Sequence, residues 1–168
     1  MKVKKHPFFG EINFNDRDGV VWEGKEELDF FRILTEPGTY IDDDTLNIFE
    51  EMINEFDDIV FFAIDCLVED LPKTKKAWEN LSNKYKLKNI TKDLKKFLVD
   101  NFCPTDVEFY SESVRQVEGS DTALRIIGSF LFDGCRDFIM IDFDEETALI
   151  GYTLFNIDEV VKRIKKEL

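Results

Sequence analysis

The apolar residues of this 168-residue chain change their spacing twice, and that change restricts the folds open to it. Phe8, Gly10, Ile12 and Phe14 stand at every second position. From Thr45 the interval lengthens, and Phe49, Ile53, Phe56, Val60, Ala63, Leu67 and Leu71 recur at steps of three and four. A period of two belongs to a strand with one buried face, whereas a period near 3.6 belongs to one face of a helix. After Cys103 and Pro104 the short period returns. A chain patterned in this way has strands towards both ends and helices between them.

Local signals refine that outline. Asn15, Asp16, Arg17, Asp18 and Gly19 are turn residues between the first alternating run and Val20, Val21 and Trp22, so a β-hairpin is expected there. Residues 28–34 predict a further strand, with Leu28, Phe30 and Leu34 on one face and Phe31 and Ile33 on the other, ended by Glu36, Pro37 and Gly38. A single helix over residues 45–71 would run about 40 Å at 1.5 Å per residue, too long for a domain of this size. Asp57 and Asp58 suit a second N-terminus, so two helices, or one kinked near Asp57, are expected. Shorter helices over 74–85 and 91–101 follow.

Runs at 107–117, 123–132, 138–143 and 148–155 are separated by brief turn sequences, which predicts an antiparallel meander, since parallel neighbours need long crossovers. Asn156 and Glu159 form a capping box for a last helix whose stripe is Ile157, Val160, Val161, Ile164 and Leu168. The expected fold is α+β and a single domain over residues 1–168. It has an N-terminal β-hairpin and strand, a helical middle, and a C-terminal antiparallel meander closed by a helix, with the helices on one face of an antiparallel sheet.

Charge is segregated along this pattern. The formal net charge is −14, yet residues 72–96 hold nine lysines against Glu79 and Asp93. Nucleic-acid domains are usually basic overall and use arginine for base edges; this island has no arginine and its surroundings are strongly acidic, so no nucleic-acid partner is expected. The longest apolar stretch, residues 59–64, falls far short of the roughly 20 needed to cross a bilayer, so no membrane partner is expected either. Three dispersed cysteines, Cys66, Cys103 and Cys135, suit a reducing compartment, and the start of the chain lacks the apolar run of a secretory signal. A cytoplasmic location is expected.

Few residues here suggest chemistry. His6 is the one histidine, which excludes multi-histidine metal centres, and its place beside Pro7 reads as structural. Cys135, in an expected turn beside Arg136, is the one cysteine with a setting that lowers a thiol pKa, while Cys66 reads as core. Placing Gly19 at the sixth position of a calcium loop puts Phe14 first and Lys25 twelfth, where carboxylates are required, so that reading fails. Asp42, Asp43 and Asp44 read as the start of a helix. No glycine-rich phosphate loop, dinucleotide fingerprint or nucleophile elbow occurs. No cofactor and no metal are expected.

The segments His6-Pro7-Phe8-Phe9-Gly10-Glu11-Ile12 and Trp22-Glu23-Gly24 resemble the start of small bacterial α+β proteins grouped as domain-of-unknown-function families 2262 and 2004. The helical middle, residues 91–97 leading into 107–110, and Leu131-Phe132-Asp133-Gly134 are similar to the first of these. That family places a histidine after the late glycine, where this chain has Cys135, so no role of that histidine carries over. The resemblance implies an immunity role beside toxin genes, without implying a mechanism.

Two functions follow as expectations. The first is a non-enzymatic acidic protein-binding domain, immunity or antitoxin-like, that neutralises a basic partner such as a toxin. Its contacts would be the hairpin-end carboxylates Asp142, Asp144, Glu145 and Glu146, because complementary potential speeds encounter. The alternative is a small enzyme or ligand-binding protein with a pocket between sheet and helices, lined by phenylalanines and Trp78.

Overall fold

The computed structural model describes residues 3–14, 18–69, 96, 99–132 and 135–154. The expected helices over 74–85 and most of 91–101, the lysine island apart from Lys96, Trp78 and the closing helix after Asn156 lie outside the described residues. Strands β1 (Val3–His6) and β2 (Gly10–Asn13) form an antiparallel pair of their own. Six strands make the main sheet in sequence order: β3 (Val20–Glu23), β4 (Phe31–Leu34), β5 (Phe102–Tyr110), β6 (Leu124–Phe132), β7 (Cys135–Phe143) and β8 (Leu149–Leu154). Helices α1 (Asp43–Asn54) and α2 (Phe56–Glu69) fall between β4 and β5, and α3 (Glu112–Glu118) between β5 and β6.

The α+β class, the helical middle and the antiparallel run from β5 to β8 agree with the sequence reading. The sheet is nevertheless mixed, because β4 and β5 pair in parallel, from Phe31 opposite Val107 to Leu34 opposite Tyr110. The helical middle supplies the long crossover that a parallel neighbour needs. The first hairpin also differs. Gly10–Asn13 pairs with Val3–His6, while Val20–Glu23 pairs with β4. The sequence Val-Lys-Lys-His shows little apolar alternation, and its polar residues hold β1 in place instead. Lys4 Nζ lies 2.9 Å from Asp43 Oδ1, and His6 Nε2 lies 2.9 Å from Asn47 Oδ1.

Three smaller corrections have local causes. The strand expected from Leu28 begins at Phe31, because Glu26–Leu28 is a 3-10 turn. The 107–117 run ends its strand at Tyr110 and becomes α3, with Ser111 at the N-cap and Gly119 left-handed at the C-terminus, a common helix ending. Cys135 is the first residue of β7 and not part of the turn.

The break between the two long helices falls at Glu55, one residue before α2. Asp42 caps α1, its Oδ1 accepting the Thr45 backbone N–H at 2.8 Å; hydrogen bonding from the Thr45 side chain, and then this backbone bond, holds the carboxyl below its ordinary pKa. Asp43 and Asp44 fill the first turn, where the helix dipole favours carboxylates.

One face of the main sheet and the inner faces of α1 and α2 build the core. Phe31, Ile33, Val107, Phe109, Leu124, Ile126, Ile141 and Phe143 come from the sheet, and Leu46, Phe49, Met52, Ile59, Val60, Ala63 and Ile64 from the helices. The Phe109 ring lies 6.0 Å from Phe31 and 5.0 Å from Phe49 between centroids, which joins the two layers. Each such ring contributes about 1.5–3 kcal/mol on burial. Gly19 turns the chain into β3 with φ of +77°. A Cβ there would stand 2.7 Å from the Thr35 carbonyl oxygen, so glycine is required on both counts.

Candidate functional site

The four carboxylates expected to meet a partner have different surroundings. Asp142, inside β7, faces Arg125 of β6; the guanidinium donates from Nε to Oδ1 at 2.8 Å and from Nη2 to Oδ2 at 3.0 Å. Asp144 shapes the turn, its Oδ1 accepting the backbone N–H groups of Glu146 and Ala148, both at 2.9 Å. Glu145 Oε2 lies 3.5 Å from Arg115 Nη2. Glu145 and Glu146 are exposed, whereas Asp142 and Asp144 are half-buried. Asp142 is drawn in by Arg125 opposite it, and Asp144 by the turn N–H groups it accepts.

Asp142 belongs to a row that crosses the sheet on the face away from α1 and α2. Glu23, Arg32, Glu108, Arg125, Asp142 and Gly151 stand in register on consecutive strands. Arg32 Nη2 meets Glu108 Oε1 at 2.6 Å and Asp106 at 3.5 Å, and the Tyr110 hydroxyl donates to Glu108 Oε2. The Arg125 guanidinium lies over the Tyr110 ring, 5.6 Å from its centroid. Burial, and then the Glu108 carboxylate, raise the Tyr110 phenol well above its ordinary pKa. The Asp142 hydrogen bonds hold the Arg125 guanidinium above its usual value against the opposing cost of burial. Alternating charges so matched position strands and leave little unpaired charge for a ligand.

A second concentration of acid lies on the helices, where Lys4 of β1 meets Asp43. Residues 43–69 hold nine carboxylates and no lysine or arginine. On α2, Ile59, Val60, Ala63 and Ile64 take the inner face, which leaves Phe61 and Phe62 outward at 55% and 49% exposure. The six-residue apolar run 59–64 carried this signal, since a helix with one buried face cannot bury six consecutive side chains.

Beside Phe61 an open groove of about 510 Å³ runs between α2 and the start of β5. Phe30, Phe56, Val60, Phe61, Val99 and Phe102 line it, and Asp57 and Asp58 stand at its rim. The Phe56 ring packs edge-on against Phe31 at 5.2 Å. The Phe102 ring packs against Gly128, where an added Cβ would come within 2.4 Å of it. The groove therefore has a fixed floor. It lies between sheet and helices; Trp78, which the sequence reading added to the lining of such a pocket, lies outside the described residues.

A second cleft, about 240 Å³, lies where β4 and β5 end, between Thr39–Thr45 and the start of α3. Below it Thr35, Ser111 and Ser113 exchange hydroxyl hydrogen bonds of 2.8 to 3.1 Å. Ser111 thus spends its hydroxyl on Thr35 rather than on capping α3.

The other singled-out residues have structural settings. His6 is buried, Nδ1 accepts from the backbone N–H groups of Phe8 and Phe9 at 3.2 and 3.4 Å, and Nε2 donates to Asn47. It fastens the β1–β2 turn to α1. Cys66 is half-buried on α2 and Cys103 exposed on β5. Among the described residues no group of three or more metal-ligating side chains is placed to hold an ion, and no helix is long and apolar enough to cross a membrane. No protein-family model, curated protein or solved structure matches the chain.

Proposed function

We propose that the chain is an acidic protein-binding domain that captures a basic protein, with an immunity or antitoxin-like role as its most concrete form. The observation that carries this reading is the α1–α2 segment, where Asp44, Glu51, Glu55, Asp57 and Asp58 are exposed, no lysine or arginine occurs in the sequence from 43 to 69, and two phenylalanines point outward. Large exposed aromatics among like charges suit an interface in which the rings supply burial and the carboxylates supply steering. The contact surface moves from the 142–146 hairpin, where Asp142 and Glu145 already meet arginines, to the helices.

The test is co-expression with the product of the adjacent gene, followed by association kinetics at low and physiological salt. A complex is expected whose association slows as salt rises. Changing Glu51, Glu55, Asp57 and Asp58 to lysine should slow it by about tenfold or more. Submicromolar binding to DNA or RNA at physiological salt, or an association rate unmoved by those four changes, overturns the proposal. The second reading, a small-molecule binder, draws on the groove, whose volume lies within the usual range for ligand pockets. Saturable binding of one apolar compound with a raised Tm would favour it.

A further inference from the structure

We infer that the groove between α2 and β5 seats a single aromatic or large apolar side chain of a basic peptide segment, with Asp57 and Asp58 meeting the lysines or arginines that flank it. The inference rests on the protein-binding reading and names the partner's chemistry. Interface energy concentrates where an aromatic anchor fills a dry, preformed pocket ringed by weaker contacts. The groove offers preformed apolar walls, and the rest of the partner would close its open side. Phe30 and Phe56 form a wall, 6.0 Å apart between centroids, and Phe102 cannot sink because its ring already rests on Gly128.

The rim decides the sign of the charge. Asp57 and Asp58 lie in the first turn of α2, both exposed, and no lysine or arginine occurs from residue 43 to 69. An acidic segment would bring like charges together there, at a cost that excludes wrong partners. A second copy of this chain would oppose the same carboxylates across the interface, so a homodimer through this face is disfavoured. A small apolar ligand would leave much of its surface wet, because the groove is open along one side, whereas pockets bury most of such a ligand.

Three labelled synthetic peptides test this on the full-length protein by fluorescence anisotropy: a lysine/alanine helix with one central tryptophan, the same helix with alanine at that site, and a glutamate/alanine helix that keeps the tryptophan. The first should bind, and loss of the tryptophan should weaken it by about tenfold or more. The acidic peptide should not bind. Phe61→Ala and Asp57→Asn/Asp58→Asn should each weaken the first peptide, while Val117→Ala, at an exposed site on α3, should leave it unchanged. Equal binding of the two lysine peptides overturns the anchor and leaves the acidic-face reading standing. Failure of both at low salt overturns the groove inference, while complex formation with the adjacent gene's product remains the separate test of the protein-binding reading. Equal binding of the two tryptophan peptides shows that the groove takes apolar groups whatever their charge, and overturns the basic partner.

Discussion

Arg125 holds both carboxylate oxygens of Asp142 across the β6–β7 ladder, at 2.8 and 3.0 Å, with both side chains at least partly withdrawn from water. Removing one member leaves the other charge half-buried and unpaired. Asp142→Ala should therefore cost about 2 kcal/mol and lower Tm by about 4–8 °C. The paired change Arg125→Met with Asp142→Leu should cost less than the sum of the singles. Thermal melts of the four proteins decide it, and strict additivity would show that the pair does not couple.

Tyr110 gives an alkaline signature. Its phenol titrates above the ordinary value of about 10 in the folded chain, because burial and Glu108 oppose the phenolate. A raised folded pKa means stability that is fully present below about pH 10 and is lost as pH rises through the folded value. Stability should therefore fall above pH 10, and Tyr110→Phe should flatten that fall. Absorbance titration of tyrosinate should show that the same variant removes the last phenol to ionise. A last step that persists in Tyr110→Phe would assign it to another tyrosine.

Gly128→Ala should destabilise by about 1–3 kcal/mol, since its methyl group would stand 2.4 Å from the Phe102 ring. The displaced ring would also enter the groove, so the same variant should weaken binding of the tryptophan-bearing lysine peptide. A variant with unchanged Tm and unchanged peptide affinity would contradict the description of the groove floor.

Thr147 occupies the left-handed region, with φ of +61°, in the turn that Asp144 organises between β7 and β8. A β-branched residue is poorly suited to that conformation, at a cost of about 1–2 kcal/mol. Thr147→Gly should raise Tm slightly, by relief of about 1 kcal/mol offset in part by the greater freedom of glycine in the unfolded chain. A lowered Tm would show that the Thr147 hydroxyl contact with the Glu146 carbonyl outweighs the backbone term.

Much of the fold was legible because apolar period reports local geometry. The division near Asp57 and the strands of the meander follow from spacing alone, and Asp42 from its place before an apolar run. Pairing is not local. Nothing near Val107 says that its parallel neighbour is Phe31, and Val-Lys-Lys-His conceals a strand that Asp43 and Asn47 hold from α1. Ser111 and Gly119 did mark α3, but Val107, Phe109 and Val117 mimicked one long strand. For the candidate site, the acidic cluster at 142–146 was visible as composition, whereas the arginines opposite Asp142 and Glu145 emerge only with register and packing. The groove depends on residues near positions 30, 60 and 102 converging, which no short window contains.

The parallel β4–β5 pair divides folding into early and late events. The meander from β5 to β8 closes through short connections, and so does the β3–β4 pair, but Arg32 and Glu108 meet across 76 positions of chain. Joining so distant a pair costs roughly 4 kcal/mol of chain entropy before its contacts repay anything. The two halves of the sheet can therefore nucleate separately, with their union across this seam as the slow step. Because Phe30 lies beside β4 and Phe102 begins β5, the groove comes into being only when that seam closes, so binding competence and the last act of folding coincide.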